Sequence, residues 1–203
     1  MNTKTFNESM SLLEQNLLNF DIENKAAYAN FLAQTYYYVS HSTRLLAFAA
    51  GMYKGGEEKL FRRYISHISE ESSHEVLALK DLEDLGYTIE QFPEIAETKQ
   101  LWEAQYYKVL HTDPTVFMGY ILALEAFACN YFPSFLEKID KTYNGKAMRF
   151  VKLHAEEDPE HVKKAIEFID SLEEERQSNI SENILQTAKS YSYMLNACSE
   201  TVC

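Results

Sequence analysis

The order of apolar and polar positions along the chain is that of helices almost throughout. Apolar residues recur at three- and four-residue intervals, the spacing of an amphipathic helix and not the alternation of a strand. The predicted helices cover residues 9–20, 24–53, 57–85, 101–110, 115–138, 146–171 and 182–198. No alternating strand pattern, internal repeat or linker is found. The pattern therefore predicts an all-α bundle of about seven helices, with residues 1–203 in a single domain.

The fifth predicted helix contains a single acidic residue in an otherwise apolar run. This run, FMGYILALEAFACNYF, is apolar on nearly every face, which is typical of a central helix. Burial of an unpaired carboxylate costs several kcal/mol. Glu125 is therefore expected to be protonated, bound to a metal, or paired with Arg44 or a tyrosine hydroxyl.

The sixth predicted helix carries three potential metal ligands at positions i, i+4 and i+7. In the stretch HAEEDPEH these are His154, Asp158 and His161. Such offsets fall within roughly 60° of one another on an α-helix, so the side chains share a face. Pro159 leaves an alternative open, in which Asp158 is the N-cap of a helix that begins at the proline.

A second cluster lies upstream, in the third predicted helix. His67, Glu70, Glu71 and His74 recur at i, i+3, i+4 and i+7, and Glu71-Ser-Ser-His74 has the Glu-x-x-His spacing of dinuclear iron sites in helical bundles. The alternative is a solvated helix face with no ligand role.

The two clusters and Glu125 together supply enough nitrogen and oxygen donors for two metal ions. Imidazole and carboxylate ligands suit Fe(II), with Mn(II) or Zn(II) as substitutes. The predicted ligands are Glu71, His74, Glu125, His154, Asp158 and His161.

This order of residues resembles the haem-oxygenase-like diiron oxidases, which belong to the wider superfamily of haem oxygenase, thiaminase II and pyrroloquinoline quinone synthase. The resemblance rests on a Glu/His pair, a lone Glu in an apolar helix, and His-x3-Asp-x2-His. It implies a haem-oxygenase-like bundle and two irons that activate O2. Members of the family oxidise or fragment small organic substrates.

The chain departs from the family pattern at one ligand. In one branch a Glu stands seven residues before the first His ligand, where this chain has His67. In other members a Glu stands three residues before it, which corresponds to Glu71. The resemblance therefore implies Glu71, with Glu70 and His67 as alternates. It also implies a catalytic role for Glu125, as a carboxylate that bridges or changes its binding mode when iron is oxidised.

Composition narrows the class of protein. A net charge of −12 argues against partners such as nucleic acid or an anionic membrane surface. The first residues lack the apolar segment of a signal peptide, and no apolar run approaches the roughly 20 residues of a membrane span. Three cysteines, Cys129, Cys198 and Cys203, form neither an even disulfide set nor a C-x-x-C pair. A cytoplasmic protein with reduced thiols is expected.

Polar residues also interrupt the second predicted helix, at His41-Ser-Thr-Arg44. Arg44 could bind a substrate carboxylate, or it could pair with an acid on a neighbouring helix. An apolar substrate cavity is expected between the second, third and fifth predicted helices.

The sequence therefore predicts a non-haem diiron oxidase or oxygenase with a small-molecule substrate, O2 and an external reductant as partners; a homodimer is one expected assembly. Three alternatives remain. A haem oxygenase would need an axial histidine near the start of the chain, whereas the first here is His41. A thiaminase-like hydrolase would need a cysteine in the pocket, for which Cys129 is the candidate. A non-enzymatic metal-binding protein would hold metal without consuming O2.

Overall fold

The structure is a computed structural model that describes residues 1–200. Over this range the chain forms nine α-helices and two short 3-10 turns, Ile89–Gln91 and Pro114–Val116, with no strand. The α-helices are α1 (Thr3–Leu18), α2 (Lys25–Val39), α3 (Ser42–Met52), α4 (Glu58–Glu70), α5 (His74–Asp84), α6 (Ala96–His111), α7 (Phe117–Tyr143), α8 (Arg149–Asp170) and α9 (Glu174–Ser199). The all-α prediction is confirmed. Cys203 lies outside the described residues.

Seven helical segments are recovered when two broken helices are each counted once. The predicted helix over 24–53 is divided into α2 and α3, and the one over 57–85 is divided into α4 and α5. The prediction of two continuous helices is therefore wrong. At the first break the Ser40 hydroxyl donates to the carbonyl of Tyr36 (2.6 Å), the local hydrogen bond by which serine competes with helix continuation.

The second break lies at the residues predicted to bind metal. Ser73 has φ 73°, in the left-handed region that non-glycine residues rarely adopt. Two consecutive serines, Ser72 and Ser73, are weak helix formers, so little opposes the break. The break separates His67, on α4, from His74, the first residue of α5.

One apolar core fills the bundle, and α7 runs through it. This helix packs chiefly on α8 and α9 and also contacts α1, α3 and α6. Phe117, Leu122 and Phe127 are almost completely buried. By length and composition α7 and the turn before it could cross a membrane, but 72% of the apolar stretch is buried inside the fold. This burial is typical of a core helix.

The contact between α7 and α9 is close enough to require glycine. A methyl group placed on Gly119 would overlap the carbonyl oxygen of Ile180 and crowd Asn183. The Asn183 amide donates to the carbonyl of Val116 and to the side chain of Gln105, both at 2.8 Å. These contacts fix the start of α7, two turns before Glu125.

Candidate metal centre

Four helices bring the predicted ligands together inside the bundle. His67 lies in the last turn of α4, Glu71 directly follows that helix, and His74 begins α5. Glu125 lies in the middle of α7. His154, Asp158 and His161 come from the central turns of α8. The solvated-face alternative is wrong for His67, Glu71 and His74, which are all mostly buried.

The first group of donors consists of His67, Glu71 and Glu125. One donor atom from each lies within 4.8 Å of the other two. The Nε2 atom of His67 is 3.3 Å from Oε1 of Glu71 and 3.4 Å from Oε1 of Glu125. Nδ1 of His161 approaches the same Glu125 oxygen at 3.7 Å. Two imidazoles therefore face the buried carboxylate of α7.

The second group consists of Glu71, His74 and His154, again with donor atoms within 4.8 Å of one another. Oε2 of Glu71 lies 3.3 Å from Nδ1 of His74, whereas its Oε1 faces His67. Glu71 is thus common to both groups, with one oxygen directed at each.

His154 is held in an orientation suited to a ligand. Its Nδ1 lies 2.8 Å from the carbonyl oxygen of Phe150, one turn earlier on α8. A carbonyl only accepts hydrogen bonds, so Nδ1 carries a proton, and in the neutral imidazole Nε2 then keeps a free lone pair. Metal-binding histidines commonly show this arrangement of one donated hydrogen bond and one free nitrogen.

Asp158 is a buried residue inside a continuous helix. α8 runs through Pro159 from Arg149 to Asp170, and Asp158 is 2% exposed. Its Oδ1 lies 3.7 Å from Nδ1 of His161. The alternative in which Asp158 caps a helix starting at Pro159 is therefore wrong. The proline lacks the N–H that would bond to the carbonyl of residue 155 and is accommodated within α8.

Glu70 occupies a different position from Glu71. Its side chain is 41% exposed, and its Oε2 contacts Nδ1 of His67 at 3.2 Å. It therefore holds the outer edge of the His67 ring, whereas Glu71 and Glu125 face the Nε2 edge. Of the two alternates to Glu71, His67 lies among the donors and Glu70 lies at their rim.

Several polar atoms of the centre are buried without a hydrogen-bond partner. They are both carboxylate oxygens of Glu125, Oδ2 of Asp158, and Nδ1 of His74 and His161. The histidine and carboxylate atoms approach each other, but not in hydrogen-bond geometry. Unsatisfied buried polar groups each cost about 1–3 kcal/mol, and more when charged. Cations bound among these donors would satisfy them, so the donor set fits metal ions of the imidazole- and carboxylate-binding kind.

Burial and mutual charge shift the acid–base behaviour of these groups. Burial raises the pKa of Glu125 to about 8, against the opposing effect of His67. Burial lowers the pKa of His67, but its hydrogen bonds with Glu70 and Glu71 outweigh this effect and raise the value to about 10. Burial also raises the pKa of Glu71, but the neighbouring imidazoles of His67 and His74 hold it well below its usual range. The centre is therefore an electrostatically coupled unit.

An internal cavity of about 60 Å³ adjoins the donors. Five of the predicted donors form part of its wall, namely His67, Glu71, Glu125, His154 and Asp158. Seven aromatic residues also line it, and most of the others are aliphatic; the aromatic residues are Tyr38, Phe117, Tyr120, Phe127, Phe132, Phe150 and Tyr191. No lysine, arginine or cysteine is among the described residues that line it. The predicted apolar cavity is confirmed, and α8 and α9 also bound it.

Tyr120 is a residue of this wall that the sequence did not single out. It is 2% exposed, and its hydroxyl has no hydrogen-bond partner. Burial raises its pKa well above the usual value, so the hydroxyl keeps its proton. Its one sequence signal is an aromatic residue five positions before Glu125, which is unremarkable in a chain with 14 tyrosines.

Of the polar residues His41-Ser-Thr-Arg44 at the α2–α3 junction, only Ser42 lines the cavity. Arg44 is exposed and donates to the carbonyl of Ser40. It makes no ion pair within residues 1–200, so neither a pairing with Glu125 nor one with another acid is found. The His41 ring stacks on Trp102 at 3.7 Å between ring centres and contacts the Tyr106 hydroxyl. Cys129 is half-buried and is not part of the cavity wall.

Comparison with known proteins gives a family and a fold. The sequence model of a family described as iron-containing redox enzymes matches residues 29–192. No curated protein matches the sequence. Among solved structures, a domain of unknown function with a haem-oxygenase-like fold from Shewanella denitrificans OS217 superposes with a TM-score of 0.81 at 20% identity, over 96% of this chain and 87% of that one.

Two further solved structures are TenA homologues. The protein from Pseudomonas syringae pv. tomato has a TM-score of 0.78 at 13% identity, with 98% of this chain and 92% of that chain covered. The protein from Pyrococcus furiosus has a TM-score of 0.73 at 11% identity, with 96% and 98% covered. At these identities the likeness establishes the haem-oxygenase-like fold and nothing finer.

Proposed function

The chain belongs to the family of iron-containing redox enzymes, and on this basis we propose that it is a non-haem diiron oxidase or oxygenase that uses O2 to oxidise or cleave a small organic substrate. The observation that carries the proposal is the position of Glu71. Its two oxygens face two separate donor groups, one with His67 and Glu125 and the other with His74 and His154. A site for a single ion would not need this division.

The proposed ligands are distributed over the two groups. His67, Glu125 and His161 would hold one iron, and His74 and His154 the other, with Glu71 between them. Asp158 lies next to His161 and would complete one of the two shells. Bound iron would supply the binding and reductive activation of O2, which amino-acid side chains cannot provide. Mn(II) or Zn(II) would be accepted by the same donors without that chemistry.

The chain's own residues prepare the site for the ions. The hydrogen bond from His154 to the Phe150 carbonyl keeps Nε2 available. Glu125 has a pKa of about 8 without metal and must release its proton to become a ligand. Its catalytic role would be that of a carboxylate that adjusts its binding mode as the iron changes oxidation state.

The cavity would receive only the reacting part of the substrate, because about 60 Å³ is well below the roughly 300–1,000 Å³ of sites that enclose a whole small molecule. Its apolar and aromatic wall favours an apolar group there and excludes the water that would quench a reactive oxidant. The Tyr120 hydroxyl, which is buried there without a partner, would bind a polar group of that substrate. The electrons would come from an external reductant. The proposed location is the cytoplasm, and the proposed assembly is a homodimer.

The test is iron loading followed by exposure to O2. Metal-free protein is loaded anaerobically with Fe(II), desalted and analysed for iron per chain, and its visible absorption is then followed after mixing with O2. Two irons per chain and a transient absorption band are expected. A matched His154→Asn variant should retain about one iron and lose the band. No iron, or one tightly held metal without O2 consumption, would refute the proposal.

A thiaminase-type hydrolase of the same fold is the rival, because two similar structures are TenA homologues. It would use a cysteine nucleophile and no metal. Among the described residues the candidate is Cys129, which follows the wall residue Ala128 in the sequence. Thiamine-degrading activity in metal-free protein that is lost in Cys129→Ser would favour this rival over the oxidase.

A further inference from the structure

A cleft of about 310 Å³ opens on the outer face of the metal centre. It is lined by α4 and α8, and His67 and His161 lie in its wall. The cleft is distinct from the aromatic cavity, because His67 is the one residue that lines both. No role has been given to it by the proposed oxidase chemistry.

The wall of the cleft is strongly basic in an acidic protein. Four cationic residues, Lys59, Arg62, Arg63 and Lys164, line it, against one carboxylate, Glu70. The whole chain has only 19 lysines and arginines and a net charge of −12. The charge of the cleft wall is thus opposite in sign to the net charge of the chain.

Three of the four cations form no close ion pair within the described residues, although Glu70 and Lys164 attract each other beyond ion-pair distance. Arg62 pairs with Glu58 at 2.8 Å. Lys59, Arg63 and Lys164 form no ion pair within residues 1–200, although acids are frequent in both helices. Like charges that lie close together repel, and an anion between them relieves the repulsion. The unpaired cations therefore favour a negatively charged ligand.

An aromatic ring holds two of these cations in place. The Lys59 ammonium lies 5.0 Å and the Arg63 guanidinium 5.1 Å from the centre of the Phe168 ring. Cation–π attraction positions a charged group without removing its charge. Phe168 thus replaces a carboxylate as the positioning group and adds an apolar surface to the cleft.

We propose that this cleft binds the oxyanion group of a small organic molecule, with Arg63, Lys59 and Lys164 on the anion and Phe168 against its apolar part. The guanidinium can contact a carboxylate or phosphate through two parallel hydrogen bonds. The volume is at the lower end of small-molecule sites, about 300–1,000 Å³, and exceeds what a single inorganic ion needs. A ligand in this cleft would reach the centre beside His67 and His161. The site goes beyond the proposed oxidase function, because anion binding here needs no metal.

The test measures anion binding to metal-free full-length protein. Its result therefore does not depend on whether the protein binds iron or reacts with O2. Benzoate, phenyl phosphate and inorganic phosphate are titrated calorimetrically at fixed ionic strength into the parent protein and into Arg63→Gln and Lys164→Gln. At least a tenfold rise in Kd is expected in both variants for the preferred organic probe. Tighter binding of benzoate would identify a carboxylate ligand, and tighter binding of phenyl phosphate a phosphate ester.

One control separates a built site from general surface charge. Lys163→Gln removes the neighbouring exposed cation that does not line the cleft, and it should leave Kd within about twofold of the parent. The proposal is overturned if Lys163→Gln weakens binding as much as Arg63→Gln does. It is also overturned if inorganic phosphate binds as tightly as both organic probes, or if none of the three binds.

Discussion

Nε2 of His67 lies 3.4 Å from Oε1 of Glu125, so an imidazole from α4 and a carboxylate from α7 meet inside the bundle. Each residue is at least nine-tenths buried. Both carboxylate oxygens of Glu125 are buried without a hydrogen-bond partner. On this geometry we propose His67 as a metal ligand together with Glu71 and not in place of it.

The first prediction concerns metal content. His67→Asn should lower bound iron from two to about one per chain, because it removes a nitrogen that faces both Glu71 and Glu125. Glu70→Gln is the matched control, since Glu70 contacts the opposite edge of the same ring and is 41% exposed. It should retain two irons. Elemental analysis after anaerobic Fe(II) loading measures the iron per chain in both variants. Two irons per chain in His67→Asn would contradict the role of His67 as a ligand.

Much of this centre follows from helical periodicity, and one essential part does not. The shared face of His154, Asp158 and His161 on α8 can be predicted from their spacing in the sequence. The burial of Glu125 in α7 can be predicted from the apolar residues around it. The division of the donors depends on the break between α4 and α5. On a continuous helix His67 and His74 would share a face, whereas the break places them in different donor groups with Glu71 between them.

The α2–α3 break has a similar effect on Arg44. A polar residue in an apolar segment suggested a role inside the bundle. The break at residues 40 and 41 instead allows its side chain to lie in solvent and to bond to Ser40. The α2–α3 break is accompanied by the hydrogen bond of the Ser40 hydroxyl, and the α4–α5 break by the left-handed conformation of Ser73. The hydropathy pattern continues through both breaks, so a single sequence gives little indication of where these helices end.

The second prediction is that metal-free protein loses stability as pH rises from about 6.5 to 8. Glu125 has a folded pKa of about 8 against 4.5 as its ordinary value, so over this range the folded state binds more protons than the unfolded state. One such group lowers the free energy of unfolding by up to about 1.4 kcal/mol per pH unit. His67 acts in the same direction, because its pKa of about 10 exceeds its ordinary 6.5 and its stabilisation is lost between those values.

Thermal unfolding in the presence of a chelator measures this dependence. Glu125→Gln should give a shallower fall in Tm between pH 6.5 and 8 and a higher Tm at pH 8. Glu137→Gln, an exposed change on the same helix, should reproduce the parent slope. A parent-like slope in Glu125→Gln would show that the carboxyl group is not buried as described.

The third prediction concerns the backbone at Ser73. A left-handed conformation costs a non-glycine residue about 1–2 kcal/mol, and a β-branched residue more than serine. Ser73→Gly should therefore raise the free energy of unfolding by up to about 1 kcal/mol and keep two irons. Ser73→Val should lower the free energy by about 1–2 kcal/mol and reduce the iron content, because the α4–α5 break positions both Glu71 and His74.

Asn144 supplies the control for this effect. It ends α7 with φ 54°, far along the chain from the ligands. Asn144→Val should destabilise the protein to a similar extent but leave two irons per chain. Chemical denaturation and elemental analysis give the two readouts. Equal loss of iron in both valine variants would mean that general destabilisation, and not the local geometry of the break, controls loading.

The last prediction tests the packing that holds α7, and with it Glu125, against α9. Gly119→Ala would place a methyl group on the backbone carbonyl of Ile180, which cannot yield as a flexible side chain would. The expected loss is about 1–3 kcal/mol in the free energy of unfolding, measured by urea denaturation. Gly51→Ala is the matched control, since it lies within α3 with no atom near the added methyl group. That variant should gain about 0.4–1 kcal/mol, because alanine restricts the unfolded chain. If Gly119→Ala were as stable as Gly51→Ala, the two helices would not be in the close contact that fixes the start of α7.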